Sequence, residues 1–326
     1  MKDRASIRQD HARDTVRYVA LRERLAAAGC FEPSRVTDVG NILLVSACAG
    51  AGFAVLLTDP SWITRLAALV AVAFAIVQAG FLGHDACHRL LSRRAWLSAT
   101  WGHIFLTGLG GISYSHFCSF HRGHHAESLR GTSAGPELTE GDSRSQASAV
   151  RWGRILLGWA LVSLRGLTLK VDTLRYVGAN LPATRVDAIV LALHLLVWIV
   201  APALTLGAPD AVLNYLVFTT LAGPYAGIVF LANHDADTGG RRDLPFLRRL
   251  LADTRNLGDT RWDDLVFGGI NHHVEHHLYP AIPRARLRRA RTIVRDFCTR
   301  EDLPYREVPS RRAVRLISTR FAEGDR

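Results

Sequence analysis

Uncharged stretches alternate with charged ones along this chain, and four of them are long enough to cross a lipid bilayer. Residues 39–58, 66–83, 188–209 and 211–233 hold 20, 18, 22 and 23 residues without an Asp, Glu, Lys or Arg. Each can cover a hydrocarbon core of about 30 Å as a helix, the one open structure whose backbone groups are satisfied within the segment. The runs come in pairs. Asp59-Pro60-Ser61-Trp62, with Arg65 close behind, separates the first two, and Gly207-Ala208-Pro209-Asp210 separates the last two. Links this short predict two tight helical hairpins.

Composition agrees with the pattern. Of 326 residues, 48% are apolar although 40 are Lys or Arg, which excludes disorder and argues against a simple soluble enzyme. Thirty-nine of those 40 basic residues lie in 1–36, 84–185 and 232–326, which share one face of the membrane if all four runs span. The positive-inside tendency makes that face the cytoplasm. The expectation is an integral protein of the cell inner membrane with both termini cytoplasmic. The net charge of +11 then reads as topology, with some attraction to anionic lipid, and no nucleic-acid partner is expected. Residues 1–36 are charged and lack the apolar core of a cleavable signal. Cys30, Cys48, Cys87, Cys118 and Cys298 have no paired spacing, so neither a disulfide framework nor a zinc ribbon is expected.

A fifth uncharged run, residues 95–120, is interrupted by His103, His116 and glycines at 102, 108, 110 and 111. If it spanned, the histidines flanking it would face opposite compartments. It is therefore read as a re-entrant or interfacial segment.

Nine of the 14 histidines fall into groups with ligand spacing. His84-Asp85-Ala86-Cys87-His88 follows the second run, and an i, i+4 pair puts both imidazoles on one helical face. His121-Arg122-Gly123-His124-His125 and His273-Val274-Glu275-His276-His277 repeat one triplet, with i, i+3 and i+4 spacing. His234 ends the fourth run. Nine neutral imidazoles exceed what one tetrahedral zinc uses, and point to two ions of a metal that accepts nitrogen-rich, higher coordination, such as iron. Of the rest, His194 lies inside an apolar run and reads as a packing or helix-contact residue. His116 and His272 adjoin ligand groups and are candidates to orient them, as are Asp85, Asn233, Asp235, Asn271 and Glu275. Asp263 and Asp264 are candidates for the same task, with a helix N-cap an equally good account.

The three histidine groups, HDACH, HRGHH and HVEHH, resemble the histidine boxes of the membrane fatty acid desaturases. The segment from Thr254-Arg255-Asn256 through Gly268-Gly269-Ile270-Asn271-His272-His273-Val274-Glu275-His276-His277-Leu278-Tyr279-Pro280 is similar to the third-box region of the acyl-lipid and front-end branch. His273 stands where that branch often has glutamine, and no HPGG haem-binding motif of a fused cytochrome b5 domain is present. The resemblance covers roughly residues 36–300. It implies an all-α membrane protein with four transmembrane helices in two hairpins and a cytosolic helical cap holding a di-iron site. On that plan residues 1–36 are a cytosolic N-terminal helical segment, and 37–300 are the membrane domain, with its cap from 84–187 and 234–300. Residues 301–326 form a basic cytosolic tail. The implied ligands are His84, His88, His121, His124, His125, His234, His273, His276 and His277, with no catalytic residue beyond the metal centre.

The resemblance further implies an oxidoreductase of lipid metabolism and fatty acid biosynthesis. It would introduce a C=C bond into an acyl-lipid, acyl-CoA or carrier-bound chain, reducing O2 to water. No FAD fingerprint, haem motif or iron–sulfur spacing is visible, so no haem, flavin or nucleotide is expected on the chain. An external electron donor, ferredoxin with its reductase or a cytochrome b5-type protein, is implied. Arg284, Arg286, Arg288, Arg289 and Arg291 could dock such a donor or lie on lipid headgroups. Box spacing alone leaves open a hydroxylase, ketolase or acetylenase of the same di-iron superfamily acting on a lipid or carotenoid. His272-His273-Val274-Glu275-His276 also satisfies the inverted zinc-peptidase pattern HxxEH, a reading that leaves the first two boxes without a role. A haem or metal carrier is a poorer fit, because the four runs contain no charged path.

Overall fold

A computed structural model describes residues 4–130, 148–234 and 244–323. In chain order the elements are α1 (Arg4–Ala27), α2 (Arg35–Leu56), α3 (Trp62–Cys87), α4 (Ala95–Gly102) running into a π-helical segment (His103–Leu109), and α5 (Tyr114–Arg130). There follow α6 (Ser148–Ala179), α7 (Arg185–Leu195), a second π-helical segment (Leu196–Val200), α8 (Ala201–Leu206) and α9 (Ala208–Ala232). The chain closes with α10 (Phe246–Asp253), β1 (Asn256–Leu257), α11 (Arg261–Val266), α12 (His273–Leu278), α13 (Arg284–Arg300), β2 (Glu307–Val308) and α14 (Ser310–Glu323). The two strands are a departure from a wholly helical chain. They pair in parallel, Asn256 with Glu307 and Leu257 with Val308.

Four stretches are long and apolar enough to cross a membrane: Arg35–Leu56, Trp62–Cys87, Arg185–Leu206 and Ala208–Ala232. Each begins three or four residues before the corresponding uncharged run, because its first turn carries charge: Asp38, Arg65, Asp187 and Asp210. A helix gains a hydrogen bond per residue by extending one more turn past the uncharged run, and three of those charges are paired within the protein: Arg65 with Asp210, and Asp187 with Ser113 and Ser115. The third stretch includes Pro202, which has no N–H and whose ring crowds the preceding turn. Its backbone widens to the π form over Leu196–Val200, immediately before the proline, as such helices do.

The chain divides into two compact units. One comprises Arg35–Phe120 and Leu157–Gly227 and contains nearly all of the four apolar stretches. Within it α3 is the central helix: 67% of its most apolar window is buried, against 22% for α2 and for α7–α8. Val45, Leu82, Leu91, Phe105, Leu106 and Tyr114 form a buried cluster around it. Arg65, the one basic residue outside the three basic segments, bridges Asp59 (2.9 Å) and Asp210 (2.8 Å), tying the link before α3 to the start of α9. Residues 95–120 do not form one helix. The π segment ends at Leu109, the chain turns through Gly110–Ser113, and α5 starts at Tyr114.

The other unit comprises Met1–Ser34, His121–Leu156 and Ile228–Arg326. Its core joins Leu21 and Leu25 of α1 to Leu250 of α10, Val274 of α12, and Val294 and Phe297 of α13. Tyr18 and Tyr279 lock α1 to the end of α12 reciprocally. The Tyr18 hydroxyl donates to the Leu278 carbonyl (2.8 Å), the Tyr279 hydroxyl donates to the Tyr18 carbonyl (2.6 Å), and their rings stack at 4.7 Å.

Within the first unit, α6 and α9 approach closely because Gly223 has no side chain. A Cβ there would lie 2.5 Å from the Val162 carbonyl oxygen and 2.6 Å from that of Ser163. Gly223→Val should therefore force the helices apart and cost about 1–3 kcal/mol. Thermal unfolding of the detergent-solubilised protein checks this, and an unchanged Tm refutes it.

Candidate metal centre

Three elements of the second unit supply histidines. On α5, His121, His124 and His125 share a face because residues three and four apart lie one turn from each other. The six residues of α12 are all buried, so His273, His276 and His277 point into the protein and not into water. His234 follows α9 directly, and a bridge from His234 to Thr254 holds it beside the strand that leads to α12. The Asn233 carbonyl accepts the Arg255 N–H at 2.9 Å.

These seven rings form two groups. In the first, the ligand-capable nitrogens of His124, His234, His273 and His277 lie within 4.8 Å of one another. His234 Nε2 is 3.1 Å from His124 Nε2 and 2.8 Å from His273 Nε2. In the second group, with the same mutual limit, His125 Nε2 is 3.0 Å from His121 Nε2 and 3.1 Å from His276 Nε2. The other unit carries the first box. His84 and His88 close α3 with ring centroids 4.8 Å apart, and Asp85 lies 3.3 Å from His84 Nδ1.

The chemistry of these groups is that of cation ligands. A ring nitrogen carries either one proton or one lone pair, so a nitrogen facing two others serves them poorly with a single hydrogen. Neither nitrogen of the buried His277 ring has a hydrogen-bond partner among the described residues, an arrangement that costs about 1–3 kcal/mol per unsatisfied group unless something else binds there. Two of the rings, His234 and His277, are held in the neutral form. Burial, reinforced by His124 and Arg255, lowers His234 to about 3. Burial and the neighbouring imidazoles hold His277 well below the ordinary range. Neutral imidazole is the metal-binding form, so the lone pairs need not be freed of protons first. The donor set fits metal ions.

Around the rings lies a shell of polar groups. The fully buried Glu275 points to Asn256 Nδ2 (2.8 Å) and the Tyr305 hydroxyl (2.8 Å), and Asn256 Oδ1 accepts the Val274 N–H at 2.9 Å. Burial pushes the Glu275 carboxyl above its ordinary value despite the opposing pull of His272, Tyr305 and Asn256. His272 Nε2 lies 2.8 Å from Asp264 Oδ1, which also accepts from Asn271 Nδ2 (3.0 Å), while Asp264 Oδ2 accepts from Arg288 (2.7 Å). Burial alone would raise Asp264, but the bonds from His272, Arg288 and Asn271 outweigh it and hold it well below the carboxylate range. The neighbouring Asp263 caps α11 reciprocally with Thr260. Asn233 Nδ2 reaches the Ile270 carbonyl at 3.3 Å. His116 lies in the other unit, stacked on Tyr176 at 4.4 Å, and Asp235 falls outside the described residues.

With His272 committed to Asp264, and Glu275 to Asn256 and Tyr305, the HxxEH segment does not present two histidines and a free glutamate to one zinc. Asn256 and Tyr305 were not singled out as functional from the sequence. Asn256 stood in the Thr254-Arg255-Asn256 motif without a role, whereas Tyr305, 30 residues beyond Glu275, carries no local signal.

Four helices long and apolar enough to span, and clustered histidines suited to a metal, point to a membrane metalloprotein. The fatty acid desaturase family model matches residues 60–309, and the chain belongs to that family; it is an oxidoreductase of lipid metabolism. It is 26% identical over 326 residues to a Delta(8)-fatty-acid desaturase of Borago officinalis, an alignment covering 89% of this chain and 71% of the relative. A Delta(8)-fatty-acid desaturase of Euglena gracilis is 26% identical, with 88% and 73% covered. An acyl-lipid (9-3)-desaturase of Physcomitrium patens is 23% identical over 90% of this chain, but the alignment spans only 58% of that protein.

The Glu275 shell sets a test of its own. Tyr305→Phe removes one hydrogen bond to a buried carboxyl and should lower stability by about 1–3 kcal/mol. Asn256→Ala, which also strips the Val274 N–H of its acceptor, should cost more. Thermal or denaturant unfolding of both variants measures this, and equal stability to the parent chain contradicts the arrangement.

Proposed function

We propose that this chain is an O2-dependent di-iron desaturase that introduces a C=C bond into a fatty acyl chain, with electrons from an external donor. The observation that carries the reading is the pair of all-imidazole groups, a donor set suited to iron and too rich in nitrogen for a single zinc. In this reading the iron ligands are the nine histidines His84, His88, His121, His124, His125, His234, His273, His276 and His277, of which His124, His234, His273 and His277 group around one ion. Bound iron supplies the O2 chemistry needed to remove hydrogen from an unactivated methylene, which no side-chain acid or base can do.

The protein's own groups hold and orient. Asp85 fixes the His84 ring, and Glu275 with Asn256 and Tyr305 sets the α12 backbone between the ligands. Asp264 turns His272 away from the ions. The apolar surroundings keep water from the reacting chain. The overall change balances as one O2, two hydrogens from adjacent carbons, two protons and two electrons giving one alkene and two waters. The electrons come from ferredoxin with its reductase or from a cytochrome b5-type protein. The names of the Borago and Physcomitrium relatives support a fatty acyl substrate, presented as an acyl-lipid, acyl-CoA or carrier-bound chain. The distribution of Lys and Arg supports two helical hairpins, with a helical cap and both termini on the cytoplasmic side of the inner membrane.

Two experiments test this. His124→Ala and His277→Ala should each lower bound iron and abolish product while leaving membrane insertion intact, because insertion depends on the apolar helices. Iron content by mass spectrometry and acyl product after co-expression with a donor report both. A loss of two hydrogens is the expected product, a gain of one oxygen reveals a hydroxylase instead, and full iron with full turnover refutes the ligand assignment. Tags at the two termini should both be cleaved by protease from the cytoplasmic side, and one protected tag overturns the topology.

A further inference from the structure

The turn at Gly110–Ser113 interrupts an uncharged segment packed among apolar helices, where water is scarce and every backbone group needs a protein partner. Side chains supply those partners. The Gly108 carbonyl lies 2.8 Å from His194 Nδ1, and the Gly110 carbonyl accepts from Lys170 Nζ at 2.7 Å. The N–H groups of Ser113, Tyr114, Ser115 and His116 donate to the Thr173 hydroxyl, the Thr107 hydroxyl, the Asp187 carboxylate and the Ser113 hydroxyl, at 3.1, 3.0, 3.3 and 3.0 Å. Gly111 takes φ +65°, and a Cβ there would lie 2.5 Å from His194 Nε2, so the glycine permits both the turn and the approach of its supports.

Asp187 is the centre of this arrangement. It is 1% exposed and uses both carboxylate oxygens. Oδ1 accepts from Ser113 Oγ (2.9 Å), Ser115 N (3.3 Å) and Thr107 Oγ1 (3.4 Å), and Oδ2 accepts from Ser115 Oγ at 2.6 Å. His103 Nδ1 lies 3.6 Å away. A carboxylate gripping the first turn of a helix through two oxygens fixes the helix in rotation as well as along its axis, and the helix dipole favours its charge there.

That helix is α5, which runs unbroken from Tyr114 to Arg130. His121, the first histidine of the second box, is six residues beyond Ser115, about 9 Å at 1.5 Å per residue. We propose that Asp187 is a positioning residue for the metal centre, setting the rotation and axial register of α5 and thereby the aim of His121, His124 and His125. This rests on the metal-centre reading above. Ligand geometry tolerates only about 10–20° of misdirection, and each residue of a helix turns through about 100°, so a modest slip at Ser115 misdirects all three rings together. Asn at 187 keeps one acceptor oxygen and loses the charge, so it cannot reproduce the two-oxygen grip.

The test uses the purified full chain in detergent, titrated with Co(II), whose visible bands report ligand geometry. Asp187→Asn should weaken ion binding by about tenfold or more, as loss of a ligand-orienting group does elsewhere, and should shift the Co(II) bands. Ser115→Ala should do the same to a smaller degree, and it carries the test alone if Asp187→Asn does not survive purification. Phe53→Ala, which removes an edge contact between α2 and Trp198 of the Leu196–Val200 segment (5.2 Å) in the same unit, should lower the Tm yet leave affinity and bands unchanged. Wild-type affinity and bands in Asp187→Asn and Ser115→Ala overturn the inference, as does a loss of affinity in Phe53→Ala that tracks its Tm. A parent chain that binds no ion overturns the metal-centre reading itself, an outcome distinct from the other two.

Discussion

Imidazole lone pairs withdrawn from water and aimed at one another are the constraint on which this structure turns. A buried ring such as His277, whose nitrogens have no hydrogen-bond partner among the described residues, suits a cation ligand and is held in place by its surroundings. Those surroundings are identifiable. The Tyr18–Tyr279 exchange pins one end of α12, and Asn256 clamps its first turn through the Val274 N–H. The His234–Thr254 bridge draws the end of α9 to the same place. The cost of desolvating the rings is thus met by contacts made on the far sides of the helices that carry them.

The apolar unit obeys a parallel rule, in which a backbone interruption is admissible only where side chains complete it. Pro202 is absorbed by a π-helical widening, and the Gly110–Ser113 turn by Lys170, His194, Thr107, Thr173 and Asp187. His194, which reads from the sequence as a packing or helix-contact residue, makes such a contact, bonding to the Gly108 carbonyl and to the Tyr215 hydroxyl of α9.

Much of this was legible along the chain because it is written locally. An uncharged run of about 20 residues has one stable form in a bilayer, and His spacing of three and four places rings on one helical face. The interruption of residues 95–120 was legible for the same reason, through its histidines and glycines. What the sequence left open depends on distant pairings. Asp263 and Asp264 are adjacent and chemically identical, yet one caps a helix and the other holds His272. Only the turn preceding α12 separates their roles. Tyr305 and Asp187 find their partners 30 and 72 residues away, beyond any periodicity.

The basic C-terminal segment shows how a charge count misleads in a similar way. Arg288 and Arg291 read as free positive charge for a donor or for lipid headgroups. In the structure Arg288 holds Asp264 at 2.7 Å and Asp259 at 3.1 Å, and the side chain of Arg291, 5% exposed, pairs with Glu307 at 2.7 Å. Arg286 donates to the Glu32 carbonyl at 3.3 Å. Such partly buried pairs keep their strength where exposed ones are screened. The chain Arg288–Asp264–His272 ends one residue before a box histidine, so Arg288 braces the third box, whereas Arg289 on the same helix is exposed.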